Sequence, residues 1–140
     1  MGYDVKRLKE MIKRHEGYSS KPYRCPAGKL TIGYGRNLDD VGIYADEAEL
    51  MLENDLRRAV QHLMRIFPDF ISYPPRKQEA LIDLMYNIGV GSFLTFKKMI
   101  AAIKNGDWIR AGEELENSKY CKQVPERCRE IKHIIQHEDF

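Results

Sequence analysis

The chain has 140 residues, with 23 lysines and arginines against 21 aspartates and glutamates, and 43% of the residues are hydrophobic. This length is enough for one domain with its own core and too short for two, so we expect a single domain over 1–140. Three cysteines cannot complete a disulfide framework and none has C-x-x-C spacing, so we expect reduced thiols; Cys121 and Cys128 could pair only if the chain folds back between them. The four histidines are not at metal-ligand spacings, and we expect no metal site and no cofactor.

The N-terminal part contains two periodic segments around a stretch rich in turn residues. Apolar residues recur at steps of three and four over about 3–16, which predicts an amphipathic helix that ends at Gly17. The next segment places Cys25-Pro26-Ala27-Gly28 between two apolar runs and predicts a small antiparallel hairpin. A second periodic segment predicts a helix of about twenty residues that ends before Pro68.

The remainder of the chain is helical in pattern. After Pro74-Pro75, three periodic segments are separated by glycines and asparagines, and a last helix opens at Pro125. The predicted fold class is α+β, with a hairpin lobe at about 17–44, a linking helix at about 46–66 and a larger helical lobe at about 75–140. We expect the functional site where the hairpin and the helices meet, because such junctions form clefts.

Glu16 is the first candidate for chemistry. It ends the first predicted helix, where the helix dipole favours the neutral acid over the carboxylate. The alternative is an exposed glutamate with no role, because most glutamates are exposed. The hairpin supplies two further candidates, Cys25 at its turn and Thr31 on its return strand.

These three residues form a spaced pattern. Glu16, Cys25 and Thr31 are followed directly by Ile32-Gly33-Tyr34-Gly35. The pattern resembles the Glu-x8-Asp/Cys-x5-Thr signature of the phage lysozymes of the T-even type, glycoside hydrolase family 24. Further segments follow in the order of that family: Tyr86-Asn87-Ile88-Gly89, Gly91-Ser92-Phe93, Trp108 and Gln123-Val124-Pro125-Glu126-Arg127. The resemblance covers nearly the whole chain and implies a lysozyme-like α+β fold.

The resemblance also implies an activity. This is hydrolysis of the β-1,4 bond between N-acetylmuramic acid and N-acetylglucosamine in peptidoglycan, with Glu16 as the acid and Thr31 holding the attacking water. Cys25 takes the position of the second catalytic residue. Two mechanisms remain open: inversion with Cys25 helping to position water, which we favour, and retention through attack by the Cys25 thiolate. An inert buried thiol is the structural alternative for Cys25.

Supporting residues are implied by the same resemblance. Arg127 is expected to pair with Glu16, and Arg36 is expected to pair with Asp55 and so to join the hairpin lobe to the linking helix. The expected substrate-binding residues are Tyr86, Asn87, Gly35 and Gln123.

The implied role is that of an endolysin that lyses the host of a bacteriophage. No apolar run is long enough to span a membrane, and the first twenty residues are too basic for a signal peptide. We therefore expect a monomer in the host cytoplasm that reaches peptidoglycan through a separate holin-type membrane protein and binds no nucleic acid. Three alternatives remain: a lytic transglycosylase, a catalytically inactive wall-binding protein on the same fold, and a helical module that binds an acidic polymer through its basic residues.

Overall fold

The computed structural model describes residues 2–140. Within them lie seven α-helices and one three-stranded antiparallel sheet, so the predicted α+β class is confirmed. The chain divides into a first unit that extends to Leu50 and a second unit, Met51–Phe140. No helix in this range has both the length and the apolar character needed to cross a membrane.

Helix α1 (Val5–Glu16) opens the first unit. Asp4 caps it, because its carboxylate accepts a hydrogen bond from the backbone N–H of Arg7 at 3.1 Å. At the other end, Gly17 has φ +70° and donates its N–H to the carbonyl of Lys13 at 2.9 Å. The predicted helix and its glycine stop are thus confirmed.

The sheet of the first unit has the order β1-β2-β3, with β1 at Ser19–Arg24, β2 at Leu30–Gly33 and β3 at Arg36–Asn37. β1 and β2 form the predicted hairpin. β3 was not predicted, because its two polar residues show no alternation of apolar and polar side chains. Thr31 lies on the central strand, paired with Tyr23 on one side and Asn37 on the other.

The remaining helices follow the predicted order. Helix α2 (Ala45–Ile66) contains the division between the two units. A 3₁₀ turn at Phe70–Ser72 and helix α6 were not predicted, because they are too short to show a helical period. Prolines occupy the first turns of α3 and α7, where a missing N–H costs no hydrogen bond. The helices after α2 are α3 (Pro75–Leu94), α4 (Lys97–Lys104), α5 (Trp108–Glu116), α6 (Lys119–Gln123) and α7 (Pro125–His137).

The second unit contains a continuous apolar core. Phe67 lies at its centre, with its ring packed edge-on against Tyr73 at 6.1 Å and Phe93 at 6.2 Å. Fully burying an aliphatic or aromatic side chain of this kind contributes about 1.5–3 kcal/mol to stability. Helices α2, α3, α4, α5 and α7 all supply buried side chains to this core, which therefore fixes the helical scaffold of the second unit.

Lys77 is a buried charge within this scaffold, with only 1% of its surface exposed. Its ammonium donates to the carbonyls of Glu138 at 2.7 Å and Ile134 at 3.4 Å, and it pairs with the carboxylate of Asp139 at 3.1 Å. It also lies 5.4 Å from the centre of the Trp108 ring. These partners compensate the cost of removing the charge from water.

A disulfide joins Cys121 and Cys128, which corrects the expectation of reduced thiols. Only Val124 separates α6 from α7, and the turn there brings the two Cα atoms to 5.1 Å, a distance that a disulfide spans. The spacing of seven residues in the sequence did not reveal this turn. Cys25 is a free cysteine.

Candidate active site

Cys25 and Thr31 meet at the turn between β1 and β2. The Cys25 N–H donates to the carbonyl of Lys29 at 3.0 Å, and the Gly28 N–H donates to the carbonyl of Cys25 at 2.8 Å, which closes the turn. Thr31 is buried, and its hydroxyl donates to the same Lys29 carbonyl at 2.9 Å. The Lys29 carbonyl thus accepts hydrogen bonds from both the Cys25 backbone and the Thr31 side chain. The structure therefore brings these two predicted site residues together.

Hydrogen bonds hold the pKa of the Cys25 thiol below its ordinary value. The backbone of Lys29 contributes most to this lowering, and the backbone of Ala27 and the hydroxyl of Thr31 act in the same direction, whereas burial opposes them. A lower pKa increases the thiolate fraction at neutral pH. The thiolate is the form that accepts a proton or attacks carbon.

Glu16 lies against Gly35, the residue between β2 and β3. A β-carbon placed on Gly35 would be 2.6 Å from Glu16 Oε2 and 2.8 Å from Glu16 Cδ. Because non-bonded carbon and oxygen atoms do not approach this closely, only glycine fits at this position while Glu16 keeps its conformation. Gly35 was predicted as a substrate-binding residue, and its observed contact is with the predicted acid.

Arg36 has a carboxylate partner that the sequence analysis missed. Its guanidinium donates two hydrogen bonds to Glu47, at 2.8 and 2.6 Å. Asp55 was the expected partner of Arg36, but the structure gives it Arg58 on its own helix, at 3.5 Å. Glu47 lies in the first turn of α2, where a negative charge is stabilised by the helix dipole. Its carboxylate also accepts a hydrogen bond from the Tyr44 N–H at 2.9 Å and so caps the helix.

These contacts change the acidity of both members of the pair. The hydrogen bonds from Arg36 and then from the Tyr44 N–H lower the pKa of Glu47 to about 2. The same contact raises the pKa of Arg36 above its ordinary value. Both groups are therefore charged throughout the pH range in which cells live.

In the second unit, Tyr86 and Asn87 line a groove of about 420 Å³. An exposed aromatic ring next to an amide suits an N-acetyl sugar, whose apolar face packs on a ring and whose acetamido group hydrogen-bonds an amide. The structure thus places these two predicted binding residues on one surface. The other lining residues are Asp55, Arg58, Ala59, His62, Met85, Gly89 and Val90.

A second groove of the same unit has a volume of about 630 Å³. Asn87 lines both grooves, and Gln123, also predicted to bind substrate, lines the second. Three of the four predicted binding residues therefore lie in one region of the second unit. The other residues that line the second groove are Ile88, Ser92, Thr95, Phe96, Lys119, Tyr120 and Val124.

Arg127 was expected to pair with Glu16. In the structure its Nε donates to Asp83 at 2.8 Å, and this contact raises the pKa of Arg127 above its ordinary value. Asp83 lies on α3 and Arg127 in the first turn of α7, so the carboxylate partner comes from the second unit itself. Sequence analysis missed Asp83 because the two residues are 44 positions apart.

The two sets of residues offer acid–base chemistry and saccharide-binding surfaces. The first unit holds a carboxyl group, a thiol of lowered pKa and a buried hydroxyl, which are groups that transfer protons and position water. Across residues 2–140, no three or more His, Cys, Asp and Glu side chains are arranged to hold a metal ion.

The sequence is similar to those of known proteins. Residues 13–130 match the family model described as Phage lysozyme. The chain is 32% identical over 108 residues to an Endolysin of Acyrthosiphon pisum secondary endosymbiont phage 1, covering 74% of this chain and 71% of that protein. It is 24% identical over 161 residues to the Probable T4-type lysozyme 1 of Dictyostelium discoideum, covering 94% and 95% of the two chains. The range matched by the family model includes Glu16, Cys25, Thr31 and Arg127.

Proposed function

Because the chain belongs to the phage lysozyme family, we propose that it cleaves the β-1,4 bond between N-acetylmuramic acid and N-acetylglucosamine and so lyses a bacterial host. Membership makes it a lysozyme-type peptidoglycan hydrolase with a lysozyme-like α+β fold. One observation supports the finer proposal: the matched range contains Glu16, and it also contains Cys25 and Thr31, which both donate hydrogen bonds to the Lys29 carbonyl. A similar phage protein is named Endolysin, which supports the role in lysis.

We propose that Glu16 is the general acid. Its proton passes to the glycosidic oxygen as the bond from that oxygen to the anomeric carbon breaks, and the sugar left behind develops oxocarbenium character. Glu16 ends helix α1, and the end of its side chain lies beside the Gly35 backbone. The position of the acid matters for catalysis, because misplaced groups transfer protons slowly.

Cys25 and Thr31 form the water-positioning pair in this proposal. The Thr31 hydroxyl donates to Lys29, so its oxygen lone pairs remain available to accept a hydrogen bond from water. That water attacks the anomeric carbon on the face opposite the leaving group, and the Cys25 thiolate accepts its proton. The product then has the inverted anomeric configuration.

Direct attack by Cys25 is the second mechanism. The thiolate would form a carbon–sulfur bond to the anomeric carbon, and water would later displace it with Glu16 acting as the base. The lowered pKa of Cys25 serves either mechanism. Proton NMR of the first product separates them, because inversion and retention give opposite anomers before mutarotation.

Turbidity assays on outer-membrane-permeabilised Gram-negative cells test the activity. We expect wild-type protein to clear the suspension and Glu16→Gln to lose about 10³-fold in rate, because the protons of the amide are too weakly acidic to be transferred to the leaving oxygen. Glu10→Gln is the matched control, since Glu10 is an exposed glutamate of the same helix. Its rate should stay within twofold of wild type.

Mass spectrometry of the released fragments identifies the bond cleaved. Fragments that end in reducing muramic acid agree with the proposal, and anhydromuramic ends would instead make the protein a lytic transglycosylase. Sugar binding without cleavage by wild-type protein would identify a wall-binding protein. Full activity in Glu16→Gln would remove Glu16 from the mechanism.

We further propose that the protein acts as a monomer and reaches the wall through a separate holin-type membrane protein. Expression in intact bacteria tests this dependence. Lysis only after chloroform opens the inner membrane agrees with it, and lysis without any opening contradicts it.

A further inference from the structure

The end of the Glu16 side chain lies in the space beside Gly35 that a side chain at position 35 would need. A β-carbon on Gly35 would meet not only Oε2 and Cδ of Glu16 but also its Cγ, at 3.1 Å. The end of the Glu16 side chain thus fills the space that the β-carbon of a larger residue at position 35 would occupy. Gly35 also has φ +83°, which is a separate reason for glycine there.

The backbone around Gly35 is held from both sides. On the N-terminal side, the Tyr34 ring packs against the Tyr18 ring at 5.4 Å and lies 5.0 Å from the ammonium of Lys13, one turn before Glu16 in α1. These contacts connect the turn that carries Gly35 to the end of the helix that carries Glu16.

On the C-terminal side, Arg36 fixes the chain. Its two hydrogen bonds to Glu47 and a third to the carbonyl of Gly42, at 3.1 Å, join β3 to the start of α2. Arg36 also pairs with Ile32 in the sheet. A bidentate ion pair and a strand partner favour one position of Arg36, the residue that follows Gly35.

We propose that Gly35 is a positioning residue: its α-carbon is the surface against which the Glu16 carboxyl group is set for proton transfer, and the Arg36–Glu47 pair keeps that surface in place. This inference rests on the proposed function, in which Glu16 is the acid. It assigns Gly35 a role through Glu16 instead of a direct contact with substrate.

Gly33 provides a matched control. It has φ +67°, close to the φ of Gly35, but a β-carbon at Gly33 would meet nothing within 4 Å. Gly33→Ala and Gly35→Ala therefore impose similar backbone strain, and only the second displaces Glu16. We expect similar decreases in Tm for the two variants.

The kinetic constants should separate the variants. We expect Gly35→Ala to lower kcat about 100-fold with KM within about threefold, since a misplaced acid slows the reaction without removing binding groups. Gly33→Ala should keep kcat within about threefold of wild type. Equal kcat values in the two variants would overturn the proposal.

A double variant tests whether the effect passes through Glu16. Glu16→Asp shortens the side chain by one methylene and so withdraws it from position 35. Adding Gly35→Ala to Glu16→Asp should cost less than about fivefold in kcat, and a further 100-fold loss would overturn the proposal. If Gly35→Ala alone does not fold, the double variant should fold. Failure of both, with Gly33→Ala folded, would also overturn it.

Carbon-13 NMR provides a measurement that does not depend on activity. The Glu16 Cδ resonance should move in Gly35→Ala and stay in place in Gly33→Ala. This result distinguishes the two proposals: a wild-type protein that does not cleave peptidoglycan refutes the function, whereas an unmoved Cδ resonance in Gly35→Ala refutes the positioning role.

Discussion

Tyr120 has a buried hydroxyl that bears on the stability of the protein, and it also lines one of the two candidate binding grooves. Among residues 2–140, its hydroxyl is the one buried side-chain polar atom without a hydrogen-bond partner, and burial raises its pKa above the ordinary value. Its ring lines the groove that also contains Asn87 and Gln123. An unpaired buried hydroxyl costs stability, because it has lost its bonds to water and gained none.

Tyr120→Phe should therefore stabilise the protein. Removing the hydroxyl and keeping the ring should raise the free energy of unfolding by about 1 kcal/mol, measured by denaturant unfolding. Tyr3→Phe, at an exposed tyrosine, should change it by less than about 0.5 kcal/mol. A less stable Tyr120→Phe would mean that the hydroxyl has a partner in solution.

Sequence analysis identified single residues better than it identified their partners. The spacing of Cys25 and Thr31 pointed to two residues that the hairpin brings to one backbone carbonyl, that of Lys29. The sequence did not indicate Glu47 as a partner of Arg36 or Asp83 as a partner of Arg127, because an arginine reaches whichever carboxylate the fold places beside it. No local pattern in the sequence encodes that choice.

At the scale of elements, the Arg36–Glu47 pair joins β3 to α2 and makes their connection sensitive to acid. The folded-state pKa of Glu47, about 2, is below its unfolded value of 4.5. The contribution of this pair to stability is therefore complete above about pH 4.5, and it is lost as the pH falls toward 2.

Glu47→Gln should remove that dependence. Thermal unfolding followed by circular dichroism should show the variant less stable than wild type at pH 7, with the difference closing between about pH 4.5 and 2. Glu49→Gln, at an exposed position of the same helix, should follow wild type at every pH. A constant difference down to pH 2 would contradict the assignment.

The elements that the sequence predicted are those with several turns or a clear turn motif. Helix α1, the β1–β2 hairpin and α2 showed their periods and their stop signals. β3 and α6 were missed because they have only two and five residues, too few to show a periodic pattern. Contacts with neighbouring elements stabilise them. Within α3, Gly89 at φ +80° interrupts the helix, which explains the glycines in that segment.

At the scale of the whole molecule, the Cys121–Cys128 disulfide links α6 to α7 within the second unit. Closing a loop of this size removes conformational freedom from the unfolded chain, which stabilises the folded state by about 2–3 kcal/mol. Reduction should lower the midpoint of guanidinium unfolding accordingly. A thiol titration of the unfolded, oxidised chain should find one free thiol, that of Cys25.

The Cys121→Ser/Cys128→Ser variant is the control for this measurement. It should unfold at the midpoint of the reduced wild-type protein and should not respond to reductant. Identical unfolding curves for oxidised and reduced wild type would show that the disulfide adds no stability.

The contacts of Lys77 also determine when the interior of the second unit can form during translation. Its carbonyl partner Glu138 is 61 positions later in the chain, so at 5–20 residues per second the ribosome adds Glu138 about 3–12 s after Lys77. Before Glu138 is added, the Lys77 ammonium lacks this carbonyl partner and stays hydrated. The part of α3 around Lys77 therefore cannot be fully buried in the core. The second unit therefore completes its interior only after residue 138 has been added, and a nascent chain that stalls before this residue leaves that interior open to proteases.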